Sequence, residues 1–142
     1  LFPEEYIENI AERIRLYREL DNIQDNGQLE KFKTSLVDRF GDIPRQTHEL
    51  LNIVKLRWIA MRLGIEKIIL KKDTMICTFI SNQESPFYQS KKWQSVILYM
   101  QKNPKKCSLK EKGSKLTIYI KNINDVQSAI GTLENMERTE YK

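Results

Sequence analysis

A chain of 142 residues that is 40% hydrophobic and 30% charged can bury one sizeable core, or a helical segment packed beside a small α+β one. It has no apolar run near the ~20 residues needed to span a bilayer and no basic-then-apolar leader, so membrane association is not expected and the reading is cytoplasmic. The formal net charge of +5 is unevenly placed: residues 1–64 carry 10 Lys and Arg against 11 Asp and Glu, whereas residues 65–142 carry 14 against 8.

Taken in chain order, the first helix is expected near Ile7 to Leu20, burying Ile7, Ile10, Ile14 and Tyr17 and leaving Arg13, Arg15 and Arg18 on the other faces. Glu4 and Glu5 read as residues that open this helix. Leu1-Phe2-Pro3, which starts without Met, reads as a segment that continues from upstream chain. Asp25-Asn26-Gly27-Gln28 then forms a capping box, Asp25 reaching forward and Gln28 reaching back, to open a second helix ending at Gly41. A third helix begins near Pro44 and runs to Gly64, with apolar residues on most faces and hence contacts on two sides.

After Gly64 the apolar period becomes alternating. Ile68 to Leu70 and Met75 to Ile80, joined through Lys71-Lys72-Asp73-Thr74, predict a hairpin. Residues 81–90 read as a loop, and Trp93, Val96, Ile97 and Met100 as an amphipathic helix stopped by Asn103-Pro104. A second hairpin turns at Lys112-Gly113-Ser114 into Leu116, Ile118 and Ile120, with Thr117 and Tyr119 on the opposite face. Asn122, Asn124 and Asp125 open a last helix that buries Val126, Ala129, Ile130, Leu133 and Met136. The expected fold is α+β: three helices, then hairpin, helix, hairpin, helix, packed as a small antiparallel sheet with helices. The chain is read as one domain, 1–142, helical over residues 1–64 and α+β over residues 65–142.

The turn Leu36-Val37-Asp38-Arg39-Phe40-Gly41-Asp42-Ile43-Pro44 is the most informative stretch. Leu29, Phe32, Leu36 and Phe40 recur at helical spacing, and at roughly 100° per residue Asp38 points about 180° away from Leu29. Gly41 suits a left-handed stop and Pro44 the first turn of the next helix, so two helices meet at a stiff corner. An acid in the last helical turn opposes the dipole by roughly 0.3–1 kcal/mol unless something compensates it. Either a local lysine or the start of the next helix does so, or another protein surface supplies the positive partner.

Motifs for catalysis are missing. Glu111-Lys112-Gly113-Ser114-Lys115 lacks the leading glycine and the Gly-Lys-Ser/Thr ending of a phosphate loop and falls in a hairpin turn. His48, the only histidine, has no Cys or carboxylate at ligand spacing and reads as a surface residue. Cys77 and Cys107 read as buried free thiols, as in a reducing compartment. No metal or cofactor is expected. The lysine-rich second half and Trp93, Tyr99 and Tyr119 leave a basic nucleic-acid-binding module as an alternative, although lysine without interleaved arginine is a weak signal and such aromatics are usually core. Plain scaffolding is a third possibility.

The corner motif, with Leu50-Leu51 and Arg62-Leu63-Gly64-Ile65-Glu66-Lys67-Ile68, resembles the C-terminal domain of the bacterial transcription-repair coupling factors, the Mfd family. Pro3 to Tyr6 matches the start of that domain and Arg15-Leu16-Tyr17-Arg18-Glu19-Leu20 its first helix, while the second half matches mainly in pattern. The resemblance implies a longer parent: a helicase-like, ATP- and Mg-dependent DNA translocase that displaces stalled RNA polymerase and recruits the excision-repair protein UvrA. None of its motor motifs lies in this chain, which is expected to be non-catalytic. It further implies a regulatory clamp that docks on the UvrB-like domain of the same polypeptide, masks UvrA binding and restrains the motor. Asp38 and Arg39 match the family's docking contacts, so they are the expected partner-binding residues. Ser35 stands where many relatives carry an acid, and Lys31 and Lys33 lie nearby, which implies a less acidic docking face.

Overall fold

The computed structural model describes residues 1–140. They divide into two compact units, Leu1–Trp58 and a second that begins at Ile59.

The first unit is helical. It contains α1 (Ile10–Asp21), α2 (Asn26–Phe40) and the larger share of α3 (Arg45–Arg62), within which the boundary between units falls. Helix α1 starts later than the sequence predicts. Asn9 is its cap, the side chain accepting from the Glu12 N–H at 3.0 Å, and Glu4 and Glu5 sit in a preceding turn where the Pro3 carbonyl accepts from Tyr6 and Ile7. Ile7 is buried as expected, but outside the helix, so its burial does not set the helical phase. Leu16 and Leu20 set it instead, and Ile14 lies roughly 160° from Leu16. The predicted stripe is therefore corrected: Ile10 is 66% and Ile14 47% exposed.

Helix α2 follows expectation closely. Asp25 accepts from the Gln28 N–H at 2.8 Å, while the Gln28 side chain reaches back to the Gln24 N–H at 2.9 Å, one residue beyond the usual box. Leu29, Phe32 and Leu36 form its buried stripe. The segment before α1 closes this core: Phe2 is buried with its ring 4.7 Å from Tyr17 and 6.3 Å from Phe32, and its N–H donates to the Tyr17 hydroxyl. The buried Thr47 hydroxyl donates to the Leu1 carbonyl at 2.7 Å, which ties that segment to α3.

The second unit carries β1 (Ile65–Lys71), β2 (Thr74–Phe79), a short 3-10 helix (Pro86–Gln89), α4 (Lys91–Lys102), β3 (Cys107–Lys112), β4 (Lys115–Lys121) and α5 (Val126–Arg138). Both predicted hairpins form and join as one antiparallel sheet in the order β1-β2-β4-β3. Lys72 and Asp73, both at positive φ, make the tight turn of the first hairpin, which matches strand twist. The helices stop and start where expected, with Asn103 ending α4 and Asp125 capping α5 through the Ser128 N–H.

Strand alternation sends Met75, Cys77, Phe79, Ile118 and Ile120 to one face, where all are fully buried along with Val96 of α4 and Leu133 and Met136 of α5. The Phe79 and Trp93 rings, edge to face at 5.2 Å, seat α4 on this face. Trp93 also meets Phe87 and Tyr88, so it belongs to a packed aromatic cluster. Gly64, at φ +70°, lies under that cluster: a Cβ there would approach the Phe87 ring to 2.5 Å. Tyr99 is core, and burial pushes the Cys77 thiol up to about 12, leaving it a protonated, inert hydrophobe. Cys107 is half-buried and also free.

Candidate docking corner

The corner is built by backbone chemistry before any charged group enters. Helix α2 stops because Gly41 adopts φ +85°, ψ −164°, a conformation that side chains resist, while its N–H still donates to the Val37 carbonyl at 2.9 Å. Tyr6 locks the stop: its hydroxyl donates to the Gly41 carbonyl at 2.9 Å and its ring lies 5.8 Å from that of Phe40. Burial and the Asp42 carboxylate raise the Tyr6 pKa, so the phenol remains a donor. On the far side, the Pro44 carbonyl accepts from Thr47 and His48 at 3.0 Å. Proline thus stands just ahead of α3, one step before the predicted position.

On this frame Asp38 and Arg39 occupy the last turn of α2 and are both exposed. They differ in their partners. The Asp38 carboxylate makes no hydrogen bond or ion pair among the described residues, so neither a local lysine nor the start of α3 compensates it. Lys33 is directed to Glu30, at 3.5 Å. Arg39 pairs through Nη2 with Glu12 of α1, its guanidinium carbon 4.9 Å from the centroid of the Phe40 ring. Hydrogen bonds from Arg15 and then from Arg39 hold Glu12 below the usual carboxylate range. One carboxylate therefore fixes two guanidinium groups. Arg39 still keeps donors to spare, since a guanidinium offers five N–H groups in a planar fork.

Sequence reasoning names Asp38 and Arg39 but not Glu12 and Tyr6, which brace the corner from another helix and from the segment ahead of it. Nothing local signals that pairing, because 27 residues separate Glu12 from Arg39. Val37, beside Asp38, is 44% exposed. The arrangement can accept hydrogen bonds from a cationic partner at Asp38 and present a small apolar contact beside it. His48 is exposed, and among the described residues no group of three or more His, Cys, Asp or Glu is placed to hold a metal ion.

A helical unit with a braced, charged corner, followed by hairpin, helix, hairpin and helix around one antiparallel sheet, defines an α+β chain. Its fold is shared, at a TM-score of 0.73 and 17% identity over 98% of this chain and 89% of the other, with the crystal structure of the C-terminal domain of transcription-repair coupling factor. The TRCF domain family model matches residues 1–90, and the chain belongs to that family. Among similar proteins are the transcription-repair-coupling factors of Rickettsia prowazekii, 34% identical over 82 residues, and of Buchnera aphidicola, 32% identical over 105 residues. These alignments take in 58% and 74% of this chain but only 7% and 12% of the relatives. The factor of Escherichia coli is 35% identical over 68 residues, 48% of this chain and 6% of that protein.

Proposed function

We propose that the chain is a non-catalytic regulatory domain of a transcription-repair coupling factor, and that its α2–α3 corner docks on the UvrB-like domain of the same polypeptide, masking UvrA binding. The parent in this reading is an ATP- and Mg-dependent DNA translocase that displaces stalled RNA polymerase. The observation that carries the proposal is the exposed Asp38 carboxylate, unpartnered in the last turn of a helix whose dipole opposes it, on a corner stiffened by Gly41 and Tyr6. A group held at a local cost and aimed outward is placed for a partner. Arg39, steadied by Glu12, would give a planar, pre-oriented donor set next to it.

A tether raises the effective concentration of the docking partner to the order of mM, so a modest interface suffices. Holding closed over open at about 100 to 1 takes roughly 2.7 kcal/mol. That is within reach of a few charge-assisted hydrogen bonds with some apolar burial at Val37. Release then requires only a partner with higher affinity for the open form.

In the full-length protein Asp38→Lys should raise UvrA capture and basal ATPase activity together, with the thermal stability of this domain undiminished. A titration of this chain against the amino-terminal portion of its parent should show weakened binding for Asp38→Lys and for Arg39→Ala. Wild-type affinity in both variants would rule the corner out as the docking site.

A further inference from the structure

The sheet of the second unit has a face that its helices do not use. With Phe79 and Ile118 directed toward the helices, alternation turns Ile76, Thr78, Thr117 and Tyr119 the other way. The register lines these up in rows. One crosses the sheet as Ile69, Ile76, Tyr119 and Ser108, an apolar and aromatic band, with Ile69 39% exposed. On one side lies the row Lys67, Thr78, Thr117 and Lys110; on the other lies Lys71, Thr74 and Lys121. Lys112 and Lys115, paired at the end of the second hairpin, share this face. Six lysines thus surround one aromatic band.

No strand carboxylate shares a row with them. The strands contain two acids: the register puts Glu111 opposite Leu116 on the helix side, and Glu66 falls in the bulge between Ile65 and Lys67. The six lysines make no ion pair among the described residues, and Lys110 instead holds its Nζ 4.8 Å from the centroid of the Tyr119 ring. Lysines scattered over 55 positions of sequence become a single field only because four strands pair in this register.

We propose that this open face binds single-stranded nucleic acid, bases stacking on Tyr119 and against Ile76 and Ile69 while the flanking lysines neutralise phosphates. The central band discriminates between polyanions. A duplex keeps its bases stacked inside and would offer only phosphates, leaving the band unused, whereas an unpaired strand presents π-faces and phosphates together. An acidic protein segment would match the lysines but has no flat group for Tyr119. The threonine hydroxyls between the two zones add hydrogen-bond partners for sugar and phosphate oxygens. Base identity is not read, since stacking tolerates every base. The inference is independent of the docking corner and of the proposed regulation.

The test is fluorescence anisotropy of a labelled oligothymidylate titrated with the 142-residue chain, repeated across salt concentrations. Binding at low salt should weaken on a log–log slope of roughly −3 to −4, as expected when four to six phosphates are neutralised. Tyr119→Ala should weaken binding roughly ten-fold and Tyr119→Phe, which keeps the ring, less than about two-fold, with circular dichroism confirming the fold of both. Lys71→Glu combined with Lys121→Glu should weaken binding and flatten the slope by about one to two units. Lys102→Glu, on α4, should leave it unchanged. No binding at low salt overturns the proposal. So does an equal loss for Tyr119→Ala and Lys102→Glu, or affinity for a duplex or for polyglutamate that matches the single strand.

Discussion

In the helical unit Arg15 and Arg39 share Glu12, Lys33 faces Glu30, Arg45 faces Glu49 and Arg57 faces Asp21, while the acid Asp38 stands without a counter-charge. In the sheet unit the ion pairs collect around Glu137, which takes Arg62 and Lys92, and the lysines of the open face have no acid opposite them. The corner of one unit exposes an unpaired acid; the open sheet face of the other exposes unpaired amines. Net charge alone does not reveal this. The near-neutral half of the chain offers a partner a carboxylate, and the basic half offers it amines, because register and helix phase decide which charges are already spoken for.

The largest test of the comparison addresses whether the two units respond separately. Leu36 and Phe79 are fully buried, one in each, and truncation to Ala should cost about 3 and about 4 kcal/mol respectively. The two tryptophans supply a reporter apiece, Trp58 in the first unit and Trp93, in ring contact with Phe79, in the second. In variants keeping a single tryptophan, Leu36→Ala should displace the denaturation midpoint seen by Trp58 further than that seen by Trp93, and Phe79→Ala should do the opposite. Equal displacement of both reporters would mean one cooperative body, and the contrast between units would lose its energetic meaning.

How far each unit is legible in sequence follows the range of the interactions that define it. The capping box at Asp25, the stop at Gly41, the stop at Asn103 and both hairpins depend on neighbours within a few residues, and all are readable. Helix α1 is misread because Ile7 is buried for a reason outside the helix, which shifts the inferred stripe onto Ile10 and Ile14. Arg39 can be named but its Glu12 partner cannot, since that contact exists only once α1 and α2 pack. Tyr119, grouped in sequence with Tyr99, which is core, and Trp93, which joins an aromatic cluster, separates from them only through strand alternation. Likewise the family model matches residues 1–90, and the Buchnera aphidicola alignment, at 105 residues, runs past them.

A smaller test concerns the paired charges of the sheet unit. Hydrogen bonds from Arg62, then from Lys92, hold the Glu137 carboxyl at about 2, against an ordinary value of 4.5. A carboxylate whose pKa falls on folding stabilises the native state fully above the unfolded value and loses that contribution as pH falls through the folded one. The window therefore runs from about 4.5 down to about 2. With both cations partly in water, screening leaves a contribution of about 1 kcal/mol. Glu137→Gln should lower stability by that amount at neutral pH, and the gap to the wild type should narrow through this window in urea titrations followed by Trp93. A gap that is constant with pH would mean Glu137 acts through packing, not through its charge.

The smallest effect is the most pointed, because it carries a sign opposite to that of most substitutions. Asp38 lies in the last turn of α2, near the negative end of the dipole, with no cation to offset it. Replacing it with Asn removes the charge and keeps the shape, so the isolated chain should gain roughly 0.3–1 kcal/mol at low ionic strength, and the gain should shrink with added salt. Glu30 on the same helix already faces Lys33, so Glu30→Asn should not stabilise. If Asp38→Asn instead destabilises the chain, the carboxylate has a structural role within the unit, and the comparison breaks at the one residue that distinguishes a docking corner from an ordinary helix end. If it stabilises the chain while weakening attachment to the parent's amino-terminal portion, the same carboxylate is costly locally and useful in docking, as expected of a group retained for a partner.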